Sequence, residues 1–195
     1  SNYAETLQEK VLLRYDNAQF IGLMKGVSAN YFETKQLDNM LSEGALALKI
    51  NGLPVALIGA GVQSYLSVNV DNDFESIEVF SPKKSASSSL DPSSEFNVQT
   101  IRPRGVFRSE QHFDDLILVP MEFTRDLLNE PAKISAIELN MKKDIAIDDF
   151  QKEIARKVGK NFEVKNRAQQ NPLLYKIVNT EKWAVFLILT FVLII

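Results

Sequence analysis

The sequence predicts an α+β fold: a mixed α/β lobe with βαβ-like units, an inserted β-rich lobe, and a long final helix that enters a membrane. Three observations predict it. Along most of the chain, short β-branched and aromatic runs alternate with stretches whose apolar residues recur at helical spacing. Between about Asp71 and Asp114 the texture changes to strand-like runs around a serine-rich tract, KKSASSSLDPSSEF. Residues 183–195, WAVFLILTFVLII, contain no charge and a single polar residue, Thr190. The expected division is therefore 1–70 with 115–171 as a discontinuous α/β lobe, 71–114 as the insert, and 172–195 as a helical stalk and the start of a transmembrane helix.

The chain has 195 residues, 45% hydrophobic and 24% charged, which suffices for one large domain or two small lobes with a real core. A net charge of -3 leaves no cationic surplus for a phosphate backbone, so nucleic acid is not an expected partner. There is no cysteine, which removes disulfides and thiolate metal sites and says nothing about compartment.

Taken in order, residues 9–15 and 19–27 flank Asp16 and Asn17 as a hairpin. Residues 29–40 place Tyr31, Phe32, Leu37 and Met40 at loosely helical spacing, and 45–50 fit either a strand or a helix end. Asn51-Gly52 forces a turn. The run from Pro54 to Leu66 reads as a helix with proline in its first turn. In the insert, 77–81 and 97–107 read as strands, and the serine tract as their solvated connection. Residues 116–119 form a buried-type strand, and Pro120 opens a helix that reaches Asn129 and is stopped by Pro131. Residues 134–141 alternate as a half-buried strand. Residues 147–158 put Ile147, Phe150, Ile154 and Val158 on one helical face, with Gly159 as the stop. Residues 162–165 read as a last short strand, after which a helix runs from Pro172 through Trp183.

The closing run is apolar on all sides, as a lipid-facing helix is. Spanning a bilayer takes about 20 apolar residues, so this run reads as the beginning of a span. Lys182 and Trp183 are the snorkelling and aromatic anchors of a membrane interface, and Phe186 belongs to the same coupling helix. The plainer alternative is a buried core helix. By the positive-inside rule alone, Lys176 and Lys182 would face the cytoplasm.

Chemistry-bearing motifs are few. VALIGAGVQSYL places Gly59, Gly61 and Ser64 near the spacing of a dinucleotide-binding turn, with Glu78 as the acid further on. That nucleotide-binding enzyme requires a strand ending at Gly59 within a parallel sheet. Ser64 in place of the third glycine, and too short a crossover before VDND, favour a packed helix whose glycines allow a close approach. His112 lies beside Glu110, Asp114 and Asp115, a pattern that fits an exposed loop better than a metal site. Zinc-peptidase, α/β-hydrolase and P-loop motifs are missing. Arg102, Arg104 and Arg108 could meet an anionic partner, or could simply be the solvent face of a strand. No cofactor and no metal are expected.

The order of segments resembles the extracytoplasmic domain of FtsX-like ABC transporter permeases, nearest the lipoprotein-releasing LolC/LolE type and related to MacB. The carriers are FIGLMKGVSANYFE, ALIGAGVQSYLSV, IEVFSPKK, VFRSEQHFDDLILVPMEFTRDLL and LLYKIVNTEKWAVFLILTFVLII. The resemblance implies a domain of a bacterial inner-membrane protein facing the periplasm, not itself a catalyst. It implies a cytoplasmic ABC ATPase subunit as partner, a second permease copy or paralogue, and a periplasmic lipoprotein carrier. A continuous helix from Pro172 into the bilayer would act as a strut transmitting ATP-driven motion. The alternatives carried forward are a MacB-like efflux or other FtsX-like permease, the nucleotide-binding enzyme, and a membrane-anchored module that only recruits partners.

Overall fold

The first turn of the molecule shows how local sequence sets the architecture. Strand β1 (Tyr3–Tyr15) pairs antiparallel with β2 (Ala18–Val27), and Tyr15 stands opposite Ala18, so Asp16 and Asn17 alone make the turn. Asp16 takes the left-handed conformation (φ 50°) that aspartate tolerates better than most residues. The computed structural model describes residues 3–34, 40–83, 95–108, 114–141, 146–166, 169–170, 185–190 and 192.

The remaining strands are β3 (Leu41–Gly44), β4 (Lys49–Ile50), β5 (Leu53–Gly59), β6 (Ile77–Pro82), β7 (Phe96–Phe107), β8 (Leu116–Pro120) and β9 (Ala136–Leu139). Their order is β3-β7-β6-β1-β2-β8-β5-β4, with β9 on β1 and a further β5–β7 pairing. That last pairing closes β7, β6, β1, β2, β8 and β5 into a ring of six strands. Within it β2–β8 and β5–β7 are parallel, and the other neighbours are antiparallel.

The helices are α1 (Tyr31–Thr34), α2 (Ala60–Leu66), α3 (Met121–Leu128) and α4 (Ile147–Val158), besides a helical segment near the end of the chain. Strand β8 is buried along its whole length, which accounts for its unbroken apolar run, LILVP. Ile117 and Val119 join a core that includes Leu13, Met24 and Ile58 with Phe123 and Leu127 of α3, while Leu116 and Leu118 join a second core with Val27, Tyr31 and Leu57. Each fully buried side chain of this size contributes about 1.5–3 kcal/mol. Helix α3 crosses β2 at Gly26, where a Cβ would come within 2.3 Å of Thr124 Oγ1 and 2.7 Å of its Cβ, so the close approach depends on glycine. Asn129 ends α3 in the left-handed conformation (φ 53°), ahead of Pro131.

Several sequence expectations change here. The run from Pro54 to Leu66 is not one helix: Leu53–Gly59 is strand β5 and only Ala60–Leu66 is helix α2. VALIG is a short apolar run whose pattern fits either state, and burial on both faces selects the strand. Residues 71–114 do not stand apart as a lobe among the described residues, because β6 and β7 lie within the ring. The chain divides instead into two compact units, Ser1–Asn140 and Met141–Ile195. Residues 45–50 hold only the two-residue strand β4, which turns through Asn51 (φ 51°) and Gly52 (φ 78°) into β5. The βαβ-like expectation holds for β8-α3-β9, whose two strands run parallel with β1 and β2 between them.

In the second unit, residues 162–165 are irregular, not a strand. They are tied to α4 through Gln151, whose Nε2 donates to the Val164 carbonyl at 2.7 Å and to Gln169 Oε1 at 2.8 Å. Residues 185–190 and 192 are helical, and among the described residues no helix is long and apolar enough to cross a membrane.

Candidate partner surface and coupling segment

Of the three arginines, Arg102 and Arg104 stand on β7 and Arg108 just follows it. The β5–β7 register runs from Ala56 opposite Pro103 to Leu57 opposite Gly105, so Arg104 is the extra residue of a β-bulge. Its carbonyl accepts from Ala45 N at 2.8 Å, and its guanidinium is half-buried and paired with Asp73. Arg102 and Arg108 are exposed, and the Arg108 amide donates to the Met40 carbonyl at 2.8 Å. The three are thus not one equivalent cationic stripe: Arg104 serves the 70–76 loop, and the outward cations are Arg102 and Arg108.

The Gly59–Gly61 segment meets one requirement of a nucleotide site and lacks another. Strand β5 does end at Gly59, and it is parallel to β7. However, the N-terminus of α2 is already occupied: Val62 N donates to the Asp114 carbonyl at 2.9 Å, and a Cβ on Gly61 would lie 2.7 Å from that oxygen. Helix α2 then leads to β6, which runs antiparallel to both its neighbours, β1 and β7, so no parallel crossover follows. Gly61 admits the backbone of the turn before β8 where a pyrophosphate would have to sit.

A buried charge cluster was not legible as a motif. Lys25 on β2 is 6% exposed, and its Nζ donates to Glu138 Oε1 on β9 at 2.5 Å and to Tyr31 Oη at 3.1 Å. The Lys25 ammonium also lies 5.2 Å from the Tyr31 ring centroid. Strands β2 and β9 flank β1, so this ion pair clips the last strand of the first unit across its neighbour. The available sequence signal was a lone lysine inside the apolar run GLMKGV.

Exposed pairs tie down the rest of the surface. The Arg14 guanidinium hydrogen-bonds Glu78, its cross-strand partner, and holds that carboxyl below the usual carboxylate range. Lys49 does the same to Glu122. Among the described residues no group of three or more His, Asp or Glu is placed to hold a metal ion.

Phe186 lies in the helical 185–190 segment and is 61% exposed, and Val185, Leu187, Ile188, Leu189 and Val192 are exposed as well. Lys182 and Trp183, the expected anchors, and His112 lie outside the described residues.

No family model matches the sequence, and no curated protein matches it. Among solved structures, the chain is similar to the periplasmic region of MacB from Actinobacillus actinomycetemcomitans, with a TM-score of 0.53 at 13% identity over 81% of this chain. The match spans 65% of that MacB region. The extracellular domain of the noncanonic ABC-type transporter YknZ from Gram-positive bacteria aligns with a TM-score of 0.49, at 14% identity over 85% of this chain and 78% of the other. A domain of a putative permease protein from Porphyromonas gingivalis gives 0.41, at 13% identity over 81% and 63%. At these identities the likeness is one of fold, and it rests on the first alignment.

Proposed function

We propose that the chain is the extracytoplasmic domain of an ABC transporter permease of the FtsX-like class, held at a bacterial inner membrane and facing the periplasm. The observation that carries this reading is the fold likeness to the MacB periplasmic region over 81% of the chain. The uncovered apolar side chains of Val185, Phe186, Leu187, Ile188, Leu189 and Val192 support it, because burial in lipid is the environment that such a surface lacks in water. In this reading the domain catalyses nothing. A cytoplasmic ATPase subunit supplies the energy, two permease copies or paralogues pair, and the closing helical segment that holds Phe186 carries motion outward as a rigid strut.

The finer assignment is lipoprotein release of the LolC/LolE type, with a periplasmic carrier as acceptor. A MacB-like efflux role is the second reading, and the MacB alignment favours it. Two experiments divide the proposal. These 195 residues contain no cysteine, so once any cysteine elsewhere in the full-length protein is replaced by serine, a thiol introduced as Phe74→Cys, at a position 96% exposed, is the only one present. In cells expressing the membrane-embedded full-length protein, a membrane-impermeant maleimide is expected to label it from the periplasmic side. Labelling only after the inner membrane is broken would overturn the placement. Depletion of the gene is then expected to leave acylated lipoproteins in the inner membrane; if drug sensitivity changes instead, the efflux reading is right.

A further inference from the structure

Three edge strands of the sheet are protected. Strand β3 is interrupted by a bulge between Leu41 and Glu43, β4 is two residues long, and β9 turns the charge of Glu138 inward to Lys25. These are the devices by which natural sheets avoid adding a foreign strand. Strand β7 differs. Its second half is flanked on both sides, by β5 from Arg102 onward and by β3 from Gly105, but residues 96–100 are paired only with β6. Antiparallel geometry turns half of the backbone N–H and C=O groups of this stretch away from β6. Among the described residues no strand meets them. The stretch reads FNVQT: Phe96, Val98 and Thr100 have high strand propensity, and no charge, proline or glycine discourages pairing.

The space beside this edge is an open groove of about 610 Å³. It lies in the fork where β5 leaves β7, between Val98, Gln99 and Thr100 on one side and Pro54 on the other, with Glu122 and Asp126 of α3 on its wall. Val98 is 46% exposed and offers an apolar seat. Lys49 pairs with Glu122, so the wall keeps a net negative charge at Asp126.

We infer that residues 96–100 of β7 are a docking edge for an extended segment of a partner protein, one that carries apolar side chains alternating with lysine or arginine. Backbone pairing supplies the attraction and the acidic wall selects the basic side chains. A second copy of this chain fits less well, because edge-to-edge pairing would bring two acidic walls together. The inference does not depend on the transport reading, since it concerns one sheet edge and its test involves no transport.

The test uses the 195-residue chain in non-ionic detergent and the peptide acetyl-Lys-Val-Lys-Val-Lys-Val-amide. Hydrogen exchange of residues 96–100 is expected to slow about tenfold at saturation, with β8 unchanged. The same peptide N-methylated at alternate residues, and a glutamate-for-lysine version, are expected to give no protection. Glu122→Gln with Asp126→Asn, both exposed on α3, should raise the half-saturating concentration about fivefold while leaving the fold's exchange pattern intact. The inference is overturned if the lysine peptide protects nothing, or if the N-methylated or glutamate peptide protects equally. Protection that grows with protein concentration alone would reassign the edge to self-association and overturn it too.

Discussion

Strand β8 and helix α4 are both plainly patterned in the sequence, yet they meet opposite fates. All five residues of β8 are buried, and none of the twelve residues of α4 is. Ile147, at the start of α4, is 53% exposed, and Phe150 and Ile154 are half-buried. The difference lies in what each element packs against. Strand β8 sits between β2 and β5 with a core on either face, whereas α4 is steadied by polar contacts through Gln151. An apolar stripe predicts which face seeks burial; the surrounding chain decides whether burial is reached.

Graded substitutions can sharpen or break this contrast. The largest effect is expected at Lys25→Met, which removes the buried ammonium paired with Glu138 and should cost about 3–5 kcal/mol in urea unfolding of the first unit. Ile117→Ala opens a cavity in the ring and should cost about 2–5 kcal/mol by the same measurement. Gly26→Val drives a side chain into Thr124 and should cost about 1–3 kcal/mol. Ile154→Ala in α4 should cost less than about 1 kcal/mol and leave β8 amide exchange unchanged. A loss as large as that at Ile117 would show that α4 is cored after all.

The smallest effect is expected at Glu78→Gln. Because Arg14 lowers the folded-state pKa of Glu78, its contribution is present above the unfolded carboxylate value of about 4.3 and is lost as pH falls through the folded value. Wild type and variant should therefore differ slightly in thermal stability at neutral pH and converge in acid. A difference that persists in acid would assign the effect to packing of Arg14 on Phe80, whose ring centroid lies 4.9 Å from the guanidinium carbon.

What was legible in the sequence was what local chemistry decides. Asp16-Asn17 marked the hairpin, Pro120 and Pro131 bracketed α3, and Gly159 stopped α4. What was not legible depends on distant partners. VALIG became a strand because β7 and β8 flank it, and strands β6 and β7 joined the ring because β6 found β1, some 65 positions earlier in the chain. The same holds at the candidate surface. Nothing local to Arg104 shows that it is spent on Asp73, and nothing local to FNVQT shows that its outer edge stays open. Lys25 sat in plain view, but its partner at Glu138 is 113 positions away.

Tyr3 stands opposite Leu139 in the β1–β9 ladder, so the polypeptide arrives at the strand ring and departs from it through adjacent doors. Thirteen-residue β1 runs inward from that spot beside β2, β6 and β9, so a tug on its first residue is shared by many backbone bonds loaded side by side. Such an attachment resists being peeled open one rung at a time.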